Sequence, residues 1–324
     1  MFFKMKIVAQ MDDIFSINIK TDTTFLMLQE AQNRGHEIFY YTPQTMFFDV
    51  KKQKIFAQIS RIKLNNSSNF CEILEKKYQD LVNFDVILVR QDPPFDMNYL
   101  TTTYFLEKIK DLVLIVNDPT NIRNCPEKLF VTNFPNLTPP TIISADLQSI
   151  KDFHKEHKKI ILKPLYSFGA DGVILIDESG QNLASNFEMM QKLYQTPLIA
   201  QKFLAEIKAG DKRIFLLDGE PIGAVARVAQ DGEIRSNLHI GGDARKTELS
   251  ARDLEICREI SPHLKKLNLL LVGIDVIGDY LTEINVTSPT CVPEINLFNN
   301  QKLQIKILEK IEEKFLNFKD RIKL

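Results

Sequence analysis

Between Val272 and Val286, apolar side chains largely alternate with oxygen-bearing ones on either side of Gly278-Asp279-Tyr280. Alternation is the period of a strand, and two such runs about a short turn pair as an antiparallel hairpin. With Gly278-Asp279-Tyr280 as a three-residue loop, Asp275 lies opposite Glu283 and Ile274 opposite Ile284. Val272, Ile274, Val276, Ile284 and Val286 then share one face, and Asp275, Glu283 and Asn285 the other. A two-residue loop at Gly278-Asp279 sets Asp275 against Thr282 and mixes the faces. Slipping the register by one residue turns every side chain over, so the apolar face selects the three-residue loop. Three oxygen-bearing side chains on one face suit a hard cation such as Mg²⁺. The spacing by itself also fits a surface hairpin with a solvated polar face.

At 324 residues the chain is long enough for two or three domains. Its net charge of −1 gives no electrostatic case for nucleic acid or an anionic membrane. No apolar run reaches the ~20 residues that span a bilayer. Cys71, Cys125, Cys257 and Cys291 are scattered without a CxxC pair, which argues against a zinc site or disulfide framework. Four packed thiols in a reducing cytoplasm are expected.

The first third alternates between strand and helix patterns. Lys6–Gln10, Ile38–Tyr41, Asp85–Arg90 and Val113–Asn117 read as strands, and Thr23–Arg34, stopped by Gly35, and Tyr99–Lys110 as helices. This predicts an open α/β layer. Lys51–Ser68 is polar and reads as a small hairpin insertion. Prolines 119, 126, 135, 139 and 140 mark a boundary near residue 120. Beyond it, the strand Ile160–Pro164 carries Lys163 and leads into the small-residue loop Ser167–Gly172. Bare backbone and a lysine can hold phosphate there, although a plain hairpin with an exposed lysine fits the same residues. No helix follows that loop, so it is neither a Walker A motif nor a Rossmann turn. Strands are expected at Leu198–Leu204, Asp211–Leu217 and Ala224–Val228, and helices at Ala251–Leu267 and Leu303–Phe318. The charged face of the last helix reads as solvated. Residues 229–245 are polar, contain glycine and lack periodicity, as in a lid or a surface loop.

Several runs together resemble the bacterial glutathione synthetases, a family of ATP-grasp ligases. They are Asn18–Phe25, Leu88–Asp96 with Asp92-Pro93-Pro94-Phe95, Asn124–Phe130, Leu162–Leu165, Gly210–Arg213 and Leu281–Cys291. The resemblance runs in order over nearly the whole chain. It implies an α/β fold, α+β in part. The expected parts are an N-terminal open α/β domain (1–120), a small lid subdomain (121–200) and a catalytic subdomain (201–324). It implies ATP-dependent ligation of γ-glutamylcysteine to glycine through an acyl phosphate, in the cytoplasm, by a homo-oligomer with the tetramer as the expected size.

The resemblance also implies roles. Lys128 and Lys163 hold the ATP phosphates and are expected to be exposed, under a flap that includes Gly169 and Gly172. Gln201, Lys202, Phe203 and Leu204 hold the adenine. Asp275, Glu283 and Asn285 hold Mg²⁺, with Mn²⁺ as the alternative. Arg213, Arg227, Arg235, Asn237, Ser288 and Thr290 hold the dipeptide and the acyl phosphate, with 228–245 as the lid. Ser167 and Ala170 depart from the resemblance, standing where relatives often carry glycine. Two rivals are a different ATP-grasp carboxylate–amine ligase and a nucleotide-binding regulatory protein without chemistry. The Asp92–Phe95 and Thr287–Thr290 runs oppose the first. The retained lysines, acids and Arg213 oppose the second.

Overall fold

The computed structural model describes residues 3–65, 69–229 and 242–322. Its strands form three sheets. The first holds β1 (Lys6–Gln10), β2 (Glu37–Tyr41), β3 (Phe47–Asp49), β4 (Lys54–Leu64), β5 (Cys71–Asp80), β6 (Val86–Val89) and β7 (Leu114–Val116). Its order is β3-β4-β2-β1-β6-β7, with β5 pairing β4. The β2-β1-β6-β7 segment is parallel throughout. Strands buried on both faces read as continuous apolar runs, which is why Val86–Val89 is legible from sequence. The expected small hairpin is in fact two long strands, β4 and β5, and β5 is exposed along most of its length. Exposure on both faces removes the alternation that would mark β5 as a strand.

Helix α1 (Thr23–Asn33) follows β1, and the Asp22 side chain accepts from the Phe25 amide to cap it. Phe25, Leu28 and Ala31 face the sheet. Helix α2 (Met97–Glu107) covers the opposite side with Tyr99 and Leu106. Short helices α3 (Pro119–Asn124) and α4 (Glu127–Phe130) occupy the proline-rich boundary.

The second sheet, in the order β10-β9-β11-β8, is antiparallel. It holds β8 (Thr141–Ser144), β9 (Ile160–Pro164), β10 (Ile174–Ile176) and β11 (Leu198–Lys202), under α5 (Leu147–His157) and α6 (Leu183–Tyr194). Sequence reading passed over β8, α5 and α6.

The third sheet runs β14-β13-β12-β15-β16, with β12 (Asp211–Leu217), β13 (Glu220–Val228), β14 (Asp243–Lys246), β15 (Leu271–Ile277) and β16 (Tyr280–Asn285). Ile214, Ile274 and Ile284 stand in register across three strands, packed on Ile256, Ile260 and Leu264 of α7 (Ala251–Lys266). The hairpin register has Asp275 opposite Glu283 and Ile274 opposite Ile284, as the apolar face requires. The turn differs from expectation. Ile277 pairs with Tyr280, so the loop is Gly278-Asp279, and a bulge at Thr282 restores the register. One extra residue on one strand reconciles a two-residue turn with a fixed buried face.

Helices α8 (Val292–Asn299) and α9 (Leu303–Ile322) close the chain. Leu303, Ile307, Leu308, Ile311 and Phe315 pack into the core beneath β1 and α1, and the charged side of α9 faces out. Among the described residues, no helix is long and apolar enough to cross a membrane. All four cysteines are free and buried.

Candidate active site

A cavity of about 920 Å³ lies where the three sheets meet. Lys128, Lys163, Gly169, Gln201, Lys202, Phe203, Leu204, Arg213, Arg227, Asp275, Glu283, Asn285, Ser288 and Thr290 all line it. Gly172, expected at the nucleotide, is not among the lining residues; a Cβ there would meet the Tyr194 hydroxyl and Pro164. Arg235 and Asn237, with the rest of 230–241, lie outside the described residues.

The floor is the polar face of the third sheet. Asp211 stands opposite Arg227, and Arg213 opposite Asp275, which stands opposite Glu283. Register alone therefore lines up acids and guanidiniums across four strands. Arg213 grips Asp275 with two nitrogens, Nη2 at 2.9 Å from Oδ2 and Nε on Oδ1. Arg227 reaches Asp275 Oδ2 at 2.9 Å and also holds Asp211. Burial works to raise the Asp275 pKa, but the two guanidiniums hold it well below the usual carboxylate range. Arg213 and Arg227 are raised in turn: burial opposes their charge, and Asp275 outweighs it.

This bears on the metal set. Glu283 is partly exposed, and its nearest cation is Lys163 Nζ at 4.0 Å. Asn285 points its Nδ2 at Asp275 Oδ2, 3.5 Å away, leaving its carbonyl oxygen as an acceptor. Glu283 and Asn285 thus offer the oxygens a hard divalent cation takes. Asp275 differs, because both of its oxygens are engaged by arginines. Among the described residues no three His, Cys, Asp or Glu side chains gather as a metal cluster.

The wall is the second sheet. Lys163 and Gln201 face inward from β9 and β11, with Lys163 Nζ 3.3 Å from Gln201 Oε1. Lys128 projects from α4. Both lysines were expected to be exposed, and neither is: Lys128 is 5% and Lys163 7% accessible. Burial lowers the Lys163 pKa while Glu283 opposes it. Lys128 donates to Ser167 Oγ at 3.0 Å, to Pro164 O at 3.4 Å and to the Ser167 carbonyl.

Sequence reasoning gave no role to several lining residues. Glu127 sits beside Thr287, whose hydroxyl is 3.3 Å from Oε1, and its pKa is pushed up to about 7 by burial and then by Glu283. At the N-terminal end, Arg90 donates to Thr24 Oγ1 at 2.9 Å and to the Pro289 carbonyl at 2.9 Å, but among the described residues its Nη1 has no partner. Glu294 Oε2 is also buried without one. The spacing of Asp211 and Arg213, two apart on one strand, was a usable signal for the floor. Arg90 and Glu294 had none, since 204 positions separate them.

An open α/β domain is followed here by two antiparallel sheets that enclose buried lysines and a floor of acids. That arrangement defines an ATP-grasp ligase. Solved structures of the same fold include D-cycloserine synthetase DcsG, 13% identical with a TM-score of 0.68 over 95% of this chain and 99% of that one. D-alanyl-alanine synthetase A from Vibrio cholerae is 11% identical with a TM-score of 0.60, over 97% and 99%. Within that class, the family model for the prokaryotic glutathione synthetase N-terminal domain matches residues 5–123, and the model for its ATP-grasp domain matches 127–300. The chain belongs to the prokaryotic glutathione synthetase family. The glutathione synthetase of Brucella melitensis biotype 1 is 47% identical over 309 residues, 95% of this chain and 98% of the relative. That of Mesorhizobium japonicum is 47% identical over 312 residues, 96% and 99%.

Proposed function

We propose a division of labour among the cavity residues for the family reaction. The protein is an ATP-dependent ligase that joins γ-glutamylcysteine to glycine through an acyl phosphate, releasing glutathione, ADP and phosphate. The single observation that carries the residue roles is the cavity itself. It gathers two buried lysines, Glu283 at 4.0 Å from Lys163, and the arginine-held Asp275 along one wall and floor.

Lys128 and Lys163 hold the ATP phosphates. Both are already desolvated, so their charge acts at low local dielectric on the phosphate that leaves. The phosphate oxygens take over from Glu283 and the neutral acceptors that now face them. Gln201, Lys202, Phe203 and Leu204 form the adenine edge. Glu283 and Asn285 hold the divalent cation, which we take to be Mg²⁺ with Mn²⁺ as the alternative. When bound it offsets charge on the phosphate oxygens. Asp275, held by the arginines, would join them through the acceptor site of Oδ1 that Arg213 Nε leaves open.

Arg213 and Arg227 orient the acyl phosphate and keep the floor rigid through Asp275 and Asp211. Ser288 and Thr290 line the dipeptide end. The unpartnered Arg90 Nη1 and Glu294 Oε2 suit a zwitterion, one taking a carboxylate and the other an ammonium. An acyl phosphate hydrolyses readily, so we keep the expected lid role of excluding water for the connection between β13 and β14, with Arg235 and Asn237; Val228 and residues 243–245 are corrected to strand. We retain the three-part division at 1–120, 121–200 and 201–324 in outline, corrected in that β11 carries the second sheet through Lys202 and α9 packs in the N-terminal sheet's core. We also retain a cytoplasmic location and a homo-oligomer, a tetramer by family resemblance.

The test is ADP release by the purified protein with ATP, with γ-glutamylcysteine and glycine supplied together or omitted. Release that needs both substrates supports the reading. Release driven by two D-alanines, or none under any condition, overturns it.

A further inference from the structure

Lys128 is a buried ammonium that makes no ion pair among the described residues. Its three acceptors are all neutral oxygens next to or within the flap: the Pro164 carbonyl at 3.4 Å, the Ser167 hydroxyl at 3.0 Å and the Ser167 carbonyl. An ammonium has three N–H donors, so this set saturates it. The Ser167 hydroxyl does not end the chain of contacts. It donates in turn to the Asp171 carbonyl at 3.0 Å, and the Asp171 carboxylate accepts from Tyr194 of α6 at 3.2 Å. The flap is tied at one end to Lys128 and at the other to the small sheet's own helix.

We propose that the Ser167 hydroxyl is a positioning group, a latch that holds Lys128 and the flap together until nucleotide displaces it. This rests on the reading of Lys128 as a phosphate-holding lysine. Because its three donors are taken, Lys128 can engage a phosphate oxygen only by releasing a flap oxygen. A charged phosphate oxygen is the stronger acceptor, so the exchange runs toward nucleotide. What the latch contributes to the nucleotide-free protein is subtracted from nucleotide affinity. The side-chain oxygen is the link to remove, since the carbonyl contacts depend on backbone that every residue supplies.

The experiment compares the full-length protein with Ser167→Ala and Ser167→Thr. Binding of the imido analogue of ATP, with Mg²⁺ present, is measured by calorimetry, and amide exchange is followed over 166–173. One hydrogen bond to an ammonium predicts that Ser167→Ala binds the analogue more tightly, by about tenfold or more. Exchange over 166–173 should be faster than in the unaltered protein without nucleotide and equal to it at saturation. Ser167→Thr keeps the hydroxyl and should restore both values. Unchanged or weaker binding by Ser167→Ala overturns the latch, weaker binding marking the hydroxyl as a phosphate contact instead. If the unaltered protein takes up no analogue, the nucleotide reading itself fails and the latch with it.

Discussion

Asp275 and Glu283 face each other across one pair of strands, yet the structure gives them different work. Asp275 is buried under two guanidiniums, whereas among the described residues Glu283 has Lys163 alone, at 4.0 Å. Asp275→Asn leaves buried arginine charge uncompensated and should cost about 3–5 kcal/mol of stability as well as activity. Glu283→Gln should abolish ADP release and move stability by less than about 1 kcal/mol. Thermal unfolding of the two variants separates them; equal losses of stability would remove the distinction. The sign with pH follows from the depressed Asp275 pKa. Its contribution is complete above the unfolded value near ~4 and is lost as pH falls below that toward the folded value. Glu127 works the other way. Its pKa of about 7 in the fold means the native state keeps a proton that the unfolded chain gives up. Stability therefore declines as pH rises from about 4 through 7. Glu127→Gln should stabilise the protein by about 1–3 kcal/mol at pH 8 and by nothing at pH 4, measured as the difference in Tm between the two proteins.

The hairpin of β15 and β16 shows how an element places chemistry. Gly273 lies beneath Arg213: a Cβ there would come within 3.1 Å of Arg213 Cδ. Gly273→Ala should push the guanidinium off Asp275 and lower kcat about tenfold or more, while the apolar face on α7 keeps the strand in place. A variant with unaltered kcat would show that Arg213 tolerates the shift. The flap offers a comparable case. Gly172 has φ of +71° and a Cβ position 2.5 Å from the Tyr194 hydroxyl. Both features exclude a side chain without moving the flap. The hairpin's buried face was legible because Ile274, Ile284 and Val286 alternate with polar residues. Its bulge was not, since nothing in Leu281-Thr282-Glu283 marks Thr282 as the extra residue.

On the scale of the whole molecule, the C-terminal helix belongs to the N-terminal sheet's core. Arg34 of the first domain is 3.0 Å from Glu312 and 2.8 Å from Glu30, and His36 is 2.9 Å from Glu312. Beneath these pairs, Leu303, Ile307, Leu308, Ile311 and Phe315 are nearly inaccessible. At about 1.5–3 kcal/mol for each buried side chain, their burial is comparable to the entire stability of a typical domain. A chain ending at residue 302 should fail to fold, with no cooperative transition in circular dichroism. If the shortened protein melted cooperatively near the parent Tm, the helix would be an accessory. Sequence pattern identified α9 as amphipathic but could not say where it docks, because its apolar stripe would suit any open sheet face.

The chain's local patterns determined what is local in the protein. Period-two and period-3.6 hydrophobicity placed most strands and helices of the first and third sheets, because burial on one face writes its period into neighbouring residues. The motif runs likewise carried the family and its reaction. Tertiary structure alone decided which groups meet. It buried Lys128 and Lys163, turned Asp275 toward two arginines, and brought Arg90 within 2.9 Å of the Pro289 carbonyl across 199 positions of chain. The physical reason is range. Hydrophobic periodicity is read within one element, but the charge and hydration of a side chain are set by whichever elements close over it.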